Sequence, residues 1–510
     1  MGGGLIVAVL CALRCGGGTG SSNQNITPDG GSKVDAGTPV DGGAPSDGGS
    51  PADAGIAPLP VNLPNAADWT FLGPQQGGPN QVFGASYDEG GNLWVAGGVE
   101  GLFVLRVGES TYQRFTMADG LRPFGYMSDG TEPPGDKYLK VISVSGGPAG
   151  TVFVGYAGKP DASGTELACE DNWDGPHPDP AIYKSGDADK VTLNGAGISV
   201  VHYDIYSGMG IVGGELRGRE KICSVFRIRY DAKNSKVWFG GNHAFAMGDA
   251  NYQGTGNCQW SSTPTPPVPT SKTDPYSNEP GHLGCSGVME HAHPAINGIK
   301  SDGVTCCAYL TGGYYGVSVD PLSGDIWFGG QIRTTKFKYA SSAGNFYSAQ
   351  SQTEDPPHVS NRIDVWPDAV TETGYPKPSD RVDDFVSGAA ALPDGSVWLS
   401  SFQRGLARLD SGGGVTARVT TSDGLSSNKV FSIAADPLDG SIWAGTSYAG
   451  ISRLKGGAFT TYGGALFGAD LMNQRIVDIQ SFGSGNGRKV VVSFGGSDTK
   501  AGAVGIYTGP

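Results

Sequence analysis

The sequence predicts an all-β fold: a seven-bladed β-propeller of four-stranded antiparallel blades, almost free of helix. Three observations carry this expectation. One short device, a polar Gly-rich turn followed by a β-rich strand, recurs seven times. The strands open at Leu93-Trp94-Val95, Val152-Phe153-Val154, Val237-Trp238-Phe239, Ile326-Trp327-Phe328, Val397-Trp398-Leu399, Ile442-Trp443-Ala444 and Val490-Val491-Val492, five of them with Trp second. β units that recur in this way mark a radial repeat architecture. The cleanest unit, residues 423–462, divides into four short β-rich segments bounded by Gly, Asp or Ser, which is one blade. The strand count at the two ends is also offset by one. Trp69-Thr70-Phe71-Leu72 reads as the fourth strand of a blade, while the last unit stops at a third strand, residues 504–507. Pairing the two closes a ring and removes an exposed edge.

A single blade has two apolar faces and cannot bury them alone. The Trp of the second strand is therefore expected between neighbouring blades, where a large flat ring fills the wedge. Anchor spacings of 59, 85, 89, 71, 45 and 48 residues place the bare units at the C-terminal end and insertions earlier, at about 157–180 and 250–312. Insertions of this kind are expected on one face of the ring, often the binding face.

The unit at 423–462 resembles the two-component regulator propeller repeat, a family of seven-bladed periplasmic sensor domains. The residues that carry the resemblance include Asp423-Gly424-Leu425, Val430, Ile433, Asp436, Gly440, Ile442-Trp443, Gly445-Thr446, Gly450, Arg453-Leu454 and Phe459. Residues 381–425 match nearly as well, and Asp119-Gly120-Leu121 closes the first blade in the same way. The resemblance implies extracytoplasmic sensing or ligand binding. The kinase output domains of such sensors are not expected here, since the sequence stops three residues after its last strand.

At the N-terminus, residues 1–15 read as an export signal. Leu5 to Leu13 is an apolar run too short to span a bilayer, and Cys15 before three glycines resembles a lipidation site. Residues 16–60 repeat Asp every six positions (Asp29, Asp35, Asp41, Asp47, Asp53) among Gly, Pro and small residues. Such a stretch has nothing to bury and reads as a disordered acidic tether spanning roughly 35–40 Å. The propeller then occupies 61–510. The expected location is the cell envelope or beyond, as an outer-membrane-anchored lipoprotein that meets membrane only through its lipid. A monomer is expected. Formal charge is −14, of which −11 falls on residues 61–510 with no basic stripe, so nucleic-acid binding is disfavoured.

Six cysteines follow the signal: Cys169, Cys223, Cys258, Cys285, Cys306 and Cys307. An even count, mostly in the insertions, fits disulfides in an oxidising compartment, with the pairing open. Histidine is scarce, seven in all, yet four fall between His243 and His293. His291 and His293 are two apart and share a side of an extended segment. With His243, or with Glu290, they would make a ligand set for a divalent metal such as Zn or Mn. The bland alternative is that these residues bond loop backbone around the insertion. Asn242, beside His243, and Trp173, in the earlier insertion, are candidate ligand contacts. No GxSxG, P-loop, Rossmann or HExxH pattern is present.

Two functions from different classes follow. The leading one is a non-catalytic, surface-tethered propeller that binds an extracytoplasmic ligand, glycan or protein. The alternative is a metal-assisted lyase or hydrolase using the His cluster.

Overall fold

The computed structural model describes residues 56–510 apart from 126–131, 161–184, 204, 208–209, 213–214, 218–221, 223, 243, 254–287, 292–294, 300–305, 310–312, 331–333, 342–360, 366–385 and 484–486. Seven antiparallel sheets account for the blades. Their innermost strands, in chain order, are Gly84–Tyr87, Val141–Gly146, Val225–Asp231, Tyr314–Val319, Val386–Ala391, Val430–Ala435 and Ile476–Phe482. Each lies beside the next, and the seventh lies beside the first, so the ring is closed. In each of blades one to six, three further strands follow outward in chain order. The third blade carries in addition a short parallel strand, Tyr206–Ser207, outside Val288–His291.

The seventh blade is completed from the other end of the chain. Trp69–Leu72 pairs antiparallel with Ala503–Tyr507, Trp69 opposite Tyr507 and Leu72 opposite Val504. The strand offset in the sequence thus resolves as expected. The chain is docked slightly ahead of position 61. Asn80 Oδ1 accepts from Leu59 N at 2.7 Å, Asn80 Nδ2 donates to Ala57 O at 3.1 Å, and Val61 is buried. Composition places the end of the tether at 60, whereas Leu59 and Val61 find apolar cover against blades six and seven.

The apolar core is divided into seven clusters, one for each contact between neighbouring blades. In each, the second-strand anchor of one blade meets the next blade. Trp94 packs with Val144 and Val154, Trp238 with Phe328 and Phe337, Trp398 with Ile433 and Ile442. Val491 of the seventh blade packs with Ala85 and Val95 of the first, which closes the series. The Trp side chains therefore sit between blades, as expected.

The repeated turn chemistry has a second use. In blades four, five and six the anchor Trp lies cross-strand from a cation: Trp327 from Lys336, Trp398 from Arg408, Trp443 from Arg453. Lys336 Nζ is 5.3 Å from the Trp327 ring centre and Arg453 Cζ is 5.0 Å from that of Trp443. Each cation reaches an Asp of the preceding turn: Asp325 at 3.4 Å, Asp394 at 2.7 Å and Asp439 at 2.6 Å. In blade six the turn Asp439 thus serves both the turn, accepting from Ser441 N at 2.9 Å, and the cation stacked on Trp443. Burial opposes ionisation of Asp439, but bonds from Lys455, Ser441 and Arg453 hold its carboxyl far below the usual range. The Gly before the third strand is also required. At Gly450, φ is +73°, and a Cβ would lie 2.2 Å from Tyr462 O.

Among the described residues one α-helix, Gly464–Met472, lies between blades six and seven, kinked at Gly468 where φ is +68°. No described helix is long and apolar enough to cross a membrane.

The two insertions do not leave from one face. The segment after Tyr156 leaves from the end of a second strand, the face on which the inner strands begin. The segment after Asp249 leaves from the end of a third strand, opposite Lys236 at the start of the second, and so from the other face. Alternating strand direction makes this unavoidable for insertions one strand apart.

Candidate functional site

The inner strands share a local irregularity. In six of the seven the pairing register slips by one residue near the strand start, between Val141 and Ser143, Val225 and Arg227, Tyr314 and Gly316, Val386 and Gly388, Val430 and Ser432, and Ile476 and Asp478. The extra residues are Ile142, Phe226, Tyr315, Ser387, Phe431 and Val477. A bulge re-aims one side chain. The preceding Val141, Val225, Tyr314, Val430 and Ile476 are fully buried between blades, whereas the extra residue is half-buried in all but blade five. The extra side chains gather at the mouth of the axial channel.

Four aromatic rings form an arc there. Phe226 stacks on Tyr315 at 4.6 Å with 12° between planes. Blade five has only Ser387 at the bulge, buried and donating to Val430 O at 2.6 Å. Its place is taken by Phe402, from the turn after Val397–Ser401, edge-on to Tyr315 at 5.2 Å and to Phe431 at 4.9 Å. Burial raises the Tyr315 hydroxyl to about 12, so it stays neutral. At the end of the arc, Arg475 Cζ stands 5.2 Å from the Phe431 ring. Its Nε is buried and makes no hydrogen bond among the described residues.

The channel is plugged one strand step, about 3.3 Å, below the arc. Arg227 of blade three and Asp478 of blade seven follow Phe226 and Val477 directly, and they form an ion pair across the axis. Arg229 lies 3.6 Å from the same carboxylate. Arg227 Nε also donates to Tyr315 O at 3.0 Å. Gln480 donates to Asp478 Oδ2 at 2.7 Å and accepts from Ser86 Oγ at 2.9 Å, tying in blade one. Burial lowers the Arg229 guanidinium to about 10; attraction to Asp478 opposes this and the neighbouring Arg227 adds to it. A buried cluster of ion pairs and hydrogen bonds therefore lies directly beneath the arc.

The rim is basic. The residues just before the inner strands of blades two, six and seven are Lys140, Lys429 and Arg475, and at the other described positions they are Phe83, Ser224 and Gly313. None is acidic, in a chain of net charge −14.

A second polar cluster is buried in blade two. Asp189 and His202 are cross-strand partners, with His202 Nδ1 2.8 Å from Asp189 Oδ1 and Nε2 3.6 Å from Asp187 Oδ2. Tyr156 OH donates to Asp189 Oδ2. Burial alone would lower the His202 pKa, but Asp187 and Asp189 together raise it. With no access to solvent, this group supports the fold. A raised folded-state value means stability that is fully present below the unfolded pKa of about 6.5 and lost as pH rises through the folded value. His202→Gln is expected to lower stability at pH 6 and to remove this loss between pH 6 and 9, as read by urea denaturation across that range.

Among residues singled out from the sequence, Asn242 is buried, and its Oδ1 accepts from Ser224 N at 2.7 Å at the entrance to blade three. The strand Val288–His291 pairs with Ala244–Asp249, which sets Glu290 opposite Phe245 and His291 opposite Ala244, the chain neighbour of His243. The side chains of Glu290 and His291 lie outside the described residues, as do those of Cys306 and Cys307, whose strand pairs with Ala295–Ile299. His243, His293, Trp173, Cys15, Cys169, Cys223, Cys258 and Cys285 are likewise outside. No group of three metal-ligating residues occurs among the described side chains.

No family model matches the chain, and no curated protein matches it. Solved structures do. A chain from a crystal structure of the mitotic checkpoint complex is 10% identical, with a TM-score of 0.44, covering 89% of this chain and 98% of that one. The WD40 β-propeller domain of Doa1 is 10% identical, with a TM-score of 0.42 over 89% and 97%. A structure of YCF48 bound to D1 peptide is 11% identical, with a TM-score of 0.41 over 88% and 100%. By its own sheets, register and ring of inner strands, the chain is a seven-bladed β-propeller.

Proposed function

We propose that this protein is a non-catalytic recognition propeller that binds a partner at the mouth of its axial channel. The arc of Phe226, Tyr315, Phe402 and Phe431 carries the reading. These are half-buried aromatic rings turned out of the blade interfaces, and such side chains dominate recognition surfaces. The Arg227–Asp478 pair crosses the axis directly beneath the rings, which favours binding on the mouth over passage through it. The described mouth offers rings and cations, with no nucleophile held against a base. The apolar run at Leu5 to Leu13, Cys15 and the Asp-rich stretch support an exported lipoprotein held at the outer membrane. The resemblance of two blades to two-component regulator propeller repeats supports ligand sensing in that compartment.

The test is binding to an envelope fraction by wild type and by Phe402→Ala/Phe431→Ala. The variant is expected to bind at least tenfold more weakly, about 1.4 kcal/mol, at an unchanged CD spectrum. Equal binding by both would remove the mouth as the site. One register favours a second reading: His291 stands opposite Ala244, next to His243. In that reading the cluster holds Zn or Mn for lyase or hydrolase chemistry. Stoichiometric metal in purified protein, lost in His291→Ala, would support it; protein free of metal after incubation with either ion would end it.

A further inference from the structure

We infer that the partner is an acidic polypeptide segment that lays apolar side chains on the aromatic arc and carboxylates on the basic rim. The inference rests on the mouth being the binding site and adds the chemistry of what binds there. Three observations carry it.

The first is charge. Lys140, Lys429 and Arg475 precede three of the inner strands, and no acid occupies the equivalent described positions. In a strongly acidic protein, a local basic rim selects an anionic partner and speeds encounter with it. Arg475 also keeps a buried Nε donor without a hydrogen bond among the described residues. Its guanidinium carbon stands 5.2 Å from the Phe431 ring, so its charge adjoins the arc.

The second is depth. The Arg227–Asp478 floor lies one strand step below the arc, about 3.3 Å. A small molecule needs a concave site that buries most of its surface, and an ion pair across the axis so close beneath the rings leaves little depth for one. A chain lying across the mouth gains area from many residues instead.

The third is ring orientation. Phe226 and Tyr315 are stacked on one another, and Phe402 meets both Tyr315 and Phe431 edge-on. Sugar recognition uses a free flat ring face, whereas here Phe226 and Tyr315 each turn one face to the other and edge contacts link them to Phe402 and Phe431. What remains is a set of edges and clefts, suited to Leu, Phe or Tyr side chains.

The experiment uses the full chain and a displayed library of random 12-residue peptides. Selection is expected to enrich Asp or Glu interleaved with Leu, Phe, Tyr or Trp. Synthetic copies of selected peptides should bind at least tenfold more weakly to Lys140→Glu/Lys429→Glu/Arg475→Glu and to Phe431→Ala, and more weakly at 300 mM than at 50 mM NaCl. Lys429→Arg should bind as wild type does, which separates loss of charge from loss of fold. Enrichment of basic or uncharged sequences would overturn the inference. So would selected peptides indifferent to the rim substitutions. A glycan array run in parallel separates the two levels. Glycan binding that depends on Phe402 and Phe431, with no peptide selected, would sink the polypeptide while keeping the mouth as a binding site. Binding of either class that ignores every mouth substitution would sink both.

Discussion

A chain beginning at Pro74 is expected to aggregate on refolding, under conditions in which a chain beginning at Ile56 refolds to a soluble ring. The difference between them is the strand Trp69–Leu72 and the docked segment ahead of it. Without that strand, Ala503–Tyr507 becomes an open edge, a template for pairing with another chain. Apolar burial is lost as well. Trp69 lies 5.6 Å from Phe71, 5.3 Å from Phe467 and 5.2 Å from Tyr507, in a cluster that also holds Trp443 and Phe494. Trp69→Ala isolates that part of the effect and is expected to cost about 3–5 kcal/mol, the range for a large aromatic removed from a core. Light scattering during refolding and urea denaturation measure the two effects. Identical behaviour of the two truncated chains would show that blade seven stands without its outer strand.

Asp478→Ala is the other large effect. It leaves Arg227 and Arg229 buried at the axis without their shared carboxylate, and breaking a buried pair from one side costs about 3–5 kcal/mol. Arg227→Met/Asp478→Leu removes both charges of the closer pair and is expected to recover part of the loss, since an apolar pair of similar volume replaces it. Arg229, 3.6 Å from the same carboxylate, loses that partner in both variants, so the recovery measures the Arg227–Asp478 pair alone. The cost of Asp478→Ala should change little between 50 and 500 mM NaCl, because salt screens buried charge weakly. A cost under about 1 kcal/mol, or a strong salt dependence, would mean that the pair behaves as a solvated one and that the floor is open to water.

The blades and their closure were legible because both rest on local chemistry. Asp-Gly turns, Trp at a fixed place in the second strand and the spare strand at Trp69 can be read within a few residues of sequence. The mouth was not legible, for two reasons. Period-two reasoning assigns Phe226, Tyr315 and Phe431 to a face packed against a neighbouring blade. A bulge adds one residue and turns each of them toward the axis, and bulges of this type leave no fixed residue signature. A comparison of the inner strands would have shown the pairs Val225-Phe226, Tyr314-Tyr315 and Val430-Phe431 at one position. The floor had no local signal at all, since Arg227 and Asp478 are 251 residues apart and only the ring brings them together. The buried triad of Asp187, Asp189 and His202 escaped for a similar reason. An isolated His in a strand carries no local signal, and the two Asp residues that meet it, thirteen and fifteen positions earlier, come together only through the strand pairing.

The closing strand also imposes an order of events. Leu72 pairs with Val504, so the first strand made waits for nearly the whole domain before its partner exists. At about 5–20 residues per second, synthesis of the intervening chain takes roughly 20–90 s. Six blades can complete themselves from consecutive strands in that interval; the seventh cannot. Through it the segment around Trp69 is an apolar strand with both edges open, and anything that shields it until Tyr507 arrives sets the yield of closed rings.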